Sequence, residues 1–305
     1  HVITAANTFV ATVGAIRELG AIPVFIDCDD SFCMNVDLIE KKITSKTKAI
    51  VPVHFTGYMT NMVKLNKIAK KYNIPVIEDA AEAFGSKINN KYCGTIADIG
   101  ILSFNANKIL TGGFGGALIT NNKKIYKNCE YLSSQAKSNR LYYHHLEMGY
   151  NYRFNNIAAS ICLGQIQSFE KKINLYYKNF KEYSKIINKF EELEIKKNYN
   201  NDLNKKIRTK ANYWQILITF NKKTLSKKSL HQIIKIFKKN LIEVRFVWKP
   251  IHSQPLYLKY KFFGNNVAKN YFKNTLCFPN GTSLDAEYFK KLESVLNKVI
   301  KIWKF

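Results

Sequence analysis

An α/β fold, with a mainly parallel sheet covered by helices, is predicted by three features of the chain. Short apolar runs recur at Ile22 to Asp27, Lys48 to Val53, Ile74-Pro-Val-Ile and Ile99 to Phe104. Between some of them lie segments with apolar residues at helical spacing, the alternation of a helix-covered parallel sheet. Two of the runs end in residues that carry chemistry: Glu78-Asp79 after one, and a turn bearing Lys108 after another. The 305 residues, 46% of them hydrophobic, are enough for a large core and two domains.

The opening His1-Val-Ile-Thr-Ala-Ala reads as a strand that runs into a helix over Phe9 to Leu19, closed by Gly20. Ile22 to Asp27 is the next strand, Val36 to Ile43 a short helix, and Lys48 to Val53 a strand that ends at His54. Met62, Leu65, Ile68, Ala69 and Tyr72 share one helical face, which predicts a helix over 62–72. The strand before Asp79 follows, then Ile99 to Phe104 and Gly116 to Thr120 on either side of the lysine turn. A long helix is predicted over Asn156 to Phe190 as the link between two domains, residues 1–190 and 191–305. Lys196 to Lys210 is polar and reads as a surface loop. Beyond it come a strand (Tyr213 to Phe220), a helix capped by Ser226 (to Lys239) and a strand (Glu243 to Val247).

Lys108 sits where a strand ends, the place where open α/β sheets bind ligands. The chain leaves this turn through Gly112, Gly113, Gly115 and Gly116, which let backbone come close to a bulky group. A lone lysine there reads either as a solvated loop residue or as a Schiff-base lysine made nucleophilic by its surroundings. Asp79, at the end of another buried strand, decides between them. Pyridoxal phosphate (PLP) needs such a pair, a lysine to hold it and a carboxylate to keep its pyridine nitrogen protonated.

Composition excludes other classes. The net charge of +26 invites a nucleic-acid reading. However, only 5 of the 48 basic residues are Arg, and the chain is rich in Asn and Ile, so a compositional bias accounts for the charge. No run is long enough for a membrane span. The six cysteines are scattered with no metal-site spacing, as in a cytoplasmic protein that keeps them reduced. No metal constellation and no internal repeat are read.

Nearly the whole chain resembles the DegT/DnrJ/EryC1/StrS family of sugar aminotransferases, PLP enzymes of fold type I. The resemblance is carried by SFNANK with its glycine run (103–116), HLEMGYNYR (145–153) and RFVWKPIHSQP (245–255), and it is strongest toward the GDP-perosamine synthase and UDP-4-amino-sugar branch. It implies a large PLP-binding domain and a smaller α+β C-terminal domain. Lys108, Asp79 and Glu82 are then catalytic and cofactor-binding; Phe9 stacks on the pyridine ring and Ser103 meets the phosphate. Asn151 would reach the partner subunit's cofactor, which implies a homodimer with shared active sites. Phe9 also reads as an ordinary core residue.

For the sugar nucleotide the candidates are Arg153, Arg245, Lys249, His252 and His54. Each also has a plain reading: a helix-start ion pair for Arg153, a packed corner around Trp248 for Arg245, Lys249 and His252, and a strand-end histidine satisfied by backbone for His54. The implied reaction moves an amino group from glutamate to the C4 keto group of a nucleotide-linked 4-keto-6-deoxy sugar, in perosamine- or bacillosamine-type synthesis for surface glycans. Family members also carry an upstream Gly-Thr-x-Ala-Leu-type turn and helix that bind the PLP phosphate, and the expectation is that this N-terminal part of the large domain is missing. A non-catalytic relative that binds PLP or sugar nucleotide as a regulator or scaffold is the alternative.

Overall fold

The computed structural model describes residues 1–196, 208–221, 225 and 229–301. Four parallel strands come first in the chain: β1 (Val2–Ala5), β2 (Pro23–Ile26), β3 (Ala49–Val51) and β4 (Ile77–Asp79). β5 (Ile99–Ser103) runs parallel to β4, and β6 (Gly116–Thr120) returns antiparallel to β5. Bridges from Ile50 to Val76 and from Val53 to Asp79 join β3 to β4. The order across the sheet is therefore β2, β1, β3, β4, β5, β6. Because the first five point the same way, the turns after β1, β4 and β5 lie on one edge, and Asp79 and the Lys108 turn fall together.

The helices form where periodicity and caps agree. α1 spans Val10–Glu18 and ends where Gly20, at φ +70°, turns the chain. α2 (Met62–Lys71) buries Met62, Leu65, Ile68 and Ala69, and Asn61 Oδ1 accepts the Lys64 N–H at its start. Tyr72 falls outside that helix and is exposed, its hydroxyl donating to Glu40. The helix predicted over Val36 to Ile43 is instead two 3₁₀ turns, Val36–Leu38 and Glu40–Lys42.

The long predicted linker is two helices, α4 (Asn156–Ile166) and α5 (Phe169–Ile187), with α3 (Lys123–Ser133) before them. The break at Gln167-Ser168 is flanked by contacts to distant parts of the chain. Gln165 turns its amide to the Thr111 carbonyl (2.6 Å), and Phe169 inserts beside Phe84, with ring centroids 4.8 Å apart. A continuous α-helix would present both side chains from one rigid rod.

A second sheet is antiparallel: β9 (Arg245–Phe246), β11 (Thr275–Phe278), β8 (Ile216–Phe220) and β7 (Leu193–Ile195), in that order. α6 (Leu230–Lys239) and α8 (Ala286–Lys301) pack together beside it, and Phe237 meets Phe278 edge to face at 5.1 Å. α6 begins with a capping box made by Ser229 and Gln232; the expected cap, Ser226, lies outside the described residues. Most of the loop read over Lys196 to Lys210 lies outside them too; Thr209–Lys210 pairs with Lys87–Ile88.

Two segments from the C-terminal part cross back to the first sheet. β10 (Phe262–Phe263) adds a parallel strand beside β2, and α7 (Val267–Asn274) starts on Asp27, whose carboxylate accepts the Val267 and Ala268 N–H groups. One core runs through both sheets, from Ile3, Ile50 and Val76 to Ile218, Phe237 and Leu292. Among the described residues no helix is long and apolar enough to cross a membrane.

Candidate active site

A cavity of about 710 Å³ runs along one face of the first sheet beside α1, from Val2, Ala49 and Ile77 at the strand starts to the carboxyl ends of the strands. Phe9, Asp79, Glu82, Ser103 and Lys108 line it, together with Thr12, Trp214 and Trp248. Five of the sequence-predicted residues are therefore brought to one place.

Each is held by its own local structure. Asp79 closes β4. Its Oδ2 accepts from Thr12 Oγ1 at 2.7 Å and its Oδ1 from the Ala81 N–H at 3.1 Å. Thr12 stands one helical turn after Thr8, and the two hydroxyls are 2.8 Å apart. The Lys108 N–H donates to the Asn105 carbonyl at 3.0 Å, which closes the turn. That turn packs on α4: a Cβ at Gly112 would lie 2.9 Å from the Ala158 carbonyl oxygen, so only glycine fits. Lys172 Nζ donates to the Ile109 carbonyl at 2.5 Å and ties the turn to α5.

Glu82 is buried, and its Oε2 accepts the Thr56 N–H at 2.6 Å. Thr56 holds φ +52°, a strained conformation for a β-branched residue, and so aims that N–H at the carboxylate. Burial raises the Glu82 carboxyl to about 7, with the nearby Lys108 pulling it down and Asp79 pushing it up. Burial also lowers the Lys108 amine below its ordinary range, against the opposing pull of Glu82 and Asp79.

The residues expected to grip a sugar nucleotide are not gathered there. His54 is fully buried. Its Nδ1 accepts the Thr60 N–H at 3.2 Å, which leaves the proton on Nε2 to donate to Glu78 at 2.8 Å. His54, Glu78 and Cys93 place three donor atoms within 4.8 Å of one another. Glu78, however, also accepts backbone N–H groups from Gly94, Ile96 and Ala97, so this cluster ties a loop to the sheet. His252 is buried as well, stacked on Phe262 at 3.7 Å between ring centroids, with neither nitrogen hydrogen-bonded. Arg245 is exposed and paired with Glu243; Lys249 and Arg153 are exposed. Around Trp248 the expected cluster of three cations does not form, because His252 turns into the core. Asn151 is exposed, and its Oδ1 accepts from Gln135 Nε2 at 3.2 Å, away from its own chain's cavity. The six cysteines are unpaired, and all but Cys129 are buried.

Thr12 and Trp214 are not marked as site residues by the sequence, whereas Trp248 is the aromatic around which the cationic cluster is expected. A Thr8/Thr12 pair at helical spacing was the available signal for the first. Nothing local marks Trp214, whose segment was expected to be strand.

The donor set fits PLP. An amine with no ion pair among the described residues and a carboxylate from the neighbouring strand end share one cavity with an aromatic face, Phe9, and a hydroxyl, Ser103. A fold and site of this kind define an enzyme that holds its cofactor at the carboxyl edge of a parallel sheet. Residues 1–299 match the DegT/DnrJ/EryC1/StrS aminotransferase family, and the chain belongs to it. GDP-perosamine synthase of Escherichia coli O157:H7 is 35% identical over 288 residues, spanning 94% of this chain and 75% of that protein. The UDP-2-acetamido-2-deoxy-3-oxo-D-glucuronate aminotransferase of Pseudomonas aeruginosa is 37% identical over 185 residues, 60% of this chain and 51% of its own. Among solved structures, the PLP form of Spr1654 from Streptococcus pneumoniae shares the fold at a TM-score of 0.87 and 23% identity, over 99% of this chain and 81% of that one.

Proposed function

We propose that this protein is a PLP-dependent aminotransferase that passes an amino group from glutamate to a nucleotide-linked keto sugar. The observation that carries this is the meeting of Lys108 and Asp79 in one cavity from adjacent strand ends. The names of the GDP- and UDP-linked relatives support a sugar nucleotide as acceptor. The finer reading is a 4-keto-6-deoxy sugar aminated at C4, in a cytoplasmic enzyme of two domains, 1–190 and 191–305.

In this reading Lys108 would hold the cofactor and Asp79 would supply the negative charge that keeps its ring nitrogen protonated. Phe9 supplies a flat apolar face, and Ser103 a hydroxyl for the phosphate. When bound, PLP supplies an electron sink for the carbon that loses a proton. Thr12 and the Ala81 N–H orient Asp79, so its negative charge is aimed before any ligand arrives. Because burial disfavours its ammonium, the Lys108 amine is available to take a proton and return it. Glu82, raised to about 7, can donate or accept a hydrogen bond beside it near neutral pH.

A homodimer is part of the proposal. Leu141, Tyr143, Leu146, Met148, Tyr152 and Ile157 are all well exposed, more apolar surface in one stretch than a monomer usually shows. Asn151 lies within that stretch and is exposed; in this reading it would serve the cavity of a partner subunit.

The test is turnover with PLP, glutamate and a GDP- or UDP-linked 4-keto-6-deoxy sugar, with the product read by mass spectrometry. An amino sugar from the wild type and none from Lys108→Ala is expected. Equal turnover by Lys108→Ala would overturn the reading.

A further inference from the structure

Lys108 Nζ faces an aromatic ring. It lies 3.9 Å from the centroid of Trp214 and makes no ion pair among the described residues. That indole is 5% exposed and Lys108 is half-buried, so the contact is partly shielded from water, where a cation over a π face counts for more than at an open surface. The same side chain also acts on the backbone. Trp214 Nε1–H donates to the carbonyl of Asn107, one residue before Lys108, at 2.8 Å.

Trp214 is itself fixed from the other wall of the cavity. Its N–H donates to Asn212 Oδ1 at 2.9 Å, and Asn212 Nδ2 donates to the Glu82 and Phe84 carbonyls at 3.0 and 3.1 Å. The Asn212 N–H donates to Ser86 Oγ at 3.0 Å. Close packing leaves this loop no slack: a Cβ on Gly57 would overlap Asn212 Oδ1. One indole thus links the Glu82 turn to the Lys108 turn.

We propose that Trp214 is a positioning residue for Lys108, pinning its turn through Asn107 and stabilising its ammonium form through the ring face. Burial drives the amine toward the neutral base, and the ring restores part of the ammonium, so both forms stay accessible to a residue that must take up and release a proton. The inference rests on reading Lys108 as the lysine of the reaction.

The test uses the ligand-free protein. Lys108 is pulse-labelled with acetic anhydride across a pH series and read by mass spectrometry, in the wild type, Trp214→Leu and Trp214→Phe. Removing the ring in Trp214→Leu is expected to lower the labelling midpoint by about half to one pH unit. Trp214→Phe keeps a π face and loses the N–H donor, so its midpoint moves less while amide exchange at Lys108 quickens severalfold. A folded Trp214→Leu with an unchanged midpoint would overturn the proposal. If the leucine variant fails to fold, Trp214→Phe decides alone, and unchanged amide exchange at Lys108 overturns the positioning role. Labelling needs no cofactor or substrate. A shifted midpoint in a protein that does not transaminate would therefore refute the proposed function and leave the role of Trp214 standing.

Discussion

Replacing Glu82 with Gln should change how stability depends on pH, in a direction the structure fixes. The carboxyl is buried and raised from its ordinary 4.5 to about 7. Between those values the folded protein keeps a proton that the unfolded chain has lost. The wild-type contribution is therefore most favourable below pH 4.5 and is lost as pH rises to about 7. At about 1.4 kcal/mol per pH unit, the loss is at most about 3.5 kcal/mol. Glu82→Gln keeps a side-chain oxygen for the Thr56 N–H and removes the titration. Urea unfolding of the ligand-free proteins at pH 5, 6, 7 and 8 should show the variant gaining on the wild type at each step, by about 2–3 kcal/mol in all. Titrating groups remote from Glu82 are common to both proteins and cancel in the difference, whereas Lys108, which Glu82 holds toward its ammonium form, does not cancel. A difference that stays constant across this range would mean that Glu82 ionises like an exposed carboxyl, and the account of its burial would fail.

Two further substitutions probe the surroundings. Thr12→Val removes the hydroxyl that donates to Asp79 while keeping the shape. A hydrogen bond to a charged group contributes about 1.5–3 kcal/mol, so kcat/KM should fall roughly 10- to 100-fold with little change in melting temperature. His252 is lowered to about 4, chiefly by burial, with Lys269 adding to the shift and Asp27 opposing it. Because the unfolded chain takes up that proton first, stability should fall as pH drops from about 6.5 toward 4. His252→Phe keeps the stack on Phe262, removes two unpaired nitrogens and should abolish that slope. At pH 7 the variant should be at least as stable in thermal unfolding, by about 1 kcal/mol.

The large parallel sheet and the pair at its edge were legible because their signals are local. An apolar run ending in Asp79, and another ending in a lysine turn with glycines, mark strand ends whatever the rest of the chain does. Gly20 similarly announces the end of a helix. What could not be read depends on distant contacts. The break between α4 and α5 follows from Gln165 reaching Thr111 and Phe169 reaching Phe84, neither visible in a helical pattern. His54 and His252 have the chemistry of ligand residues, but burial among Glu78, Thr60 and Phe262 assigns them to the interior. Trp214 reaches the cavity because Asn212 holds its loop against the Glu82 turn, a pairing more than a hundred residues apart in the chain.

Whether Lys108 carries the cofactor and glutamate donates the amine can be read from the absorbance spectrum of the purified protein with added PLP, before and after glutamate. The expected result is a visible band that depends on Lys108 and shifts when glutamate is added. A protein that develops no such band, or develops the same one after Lys108→Ala, would contradict it.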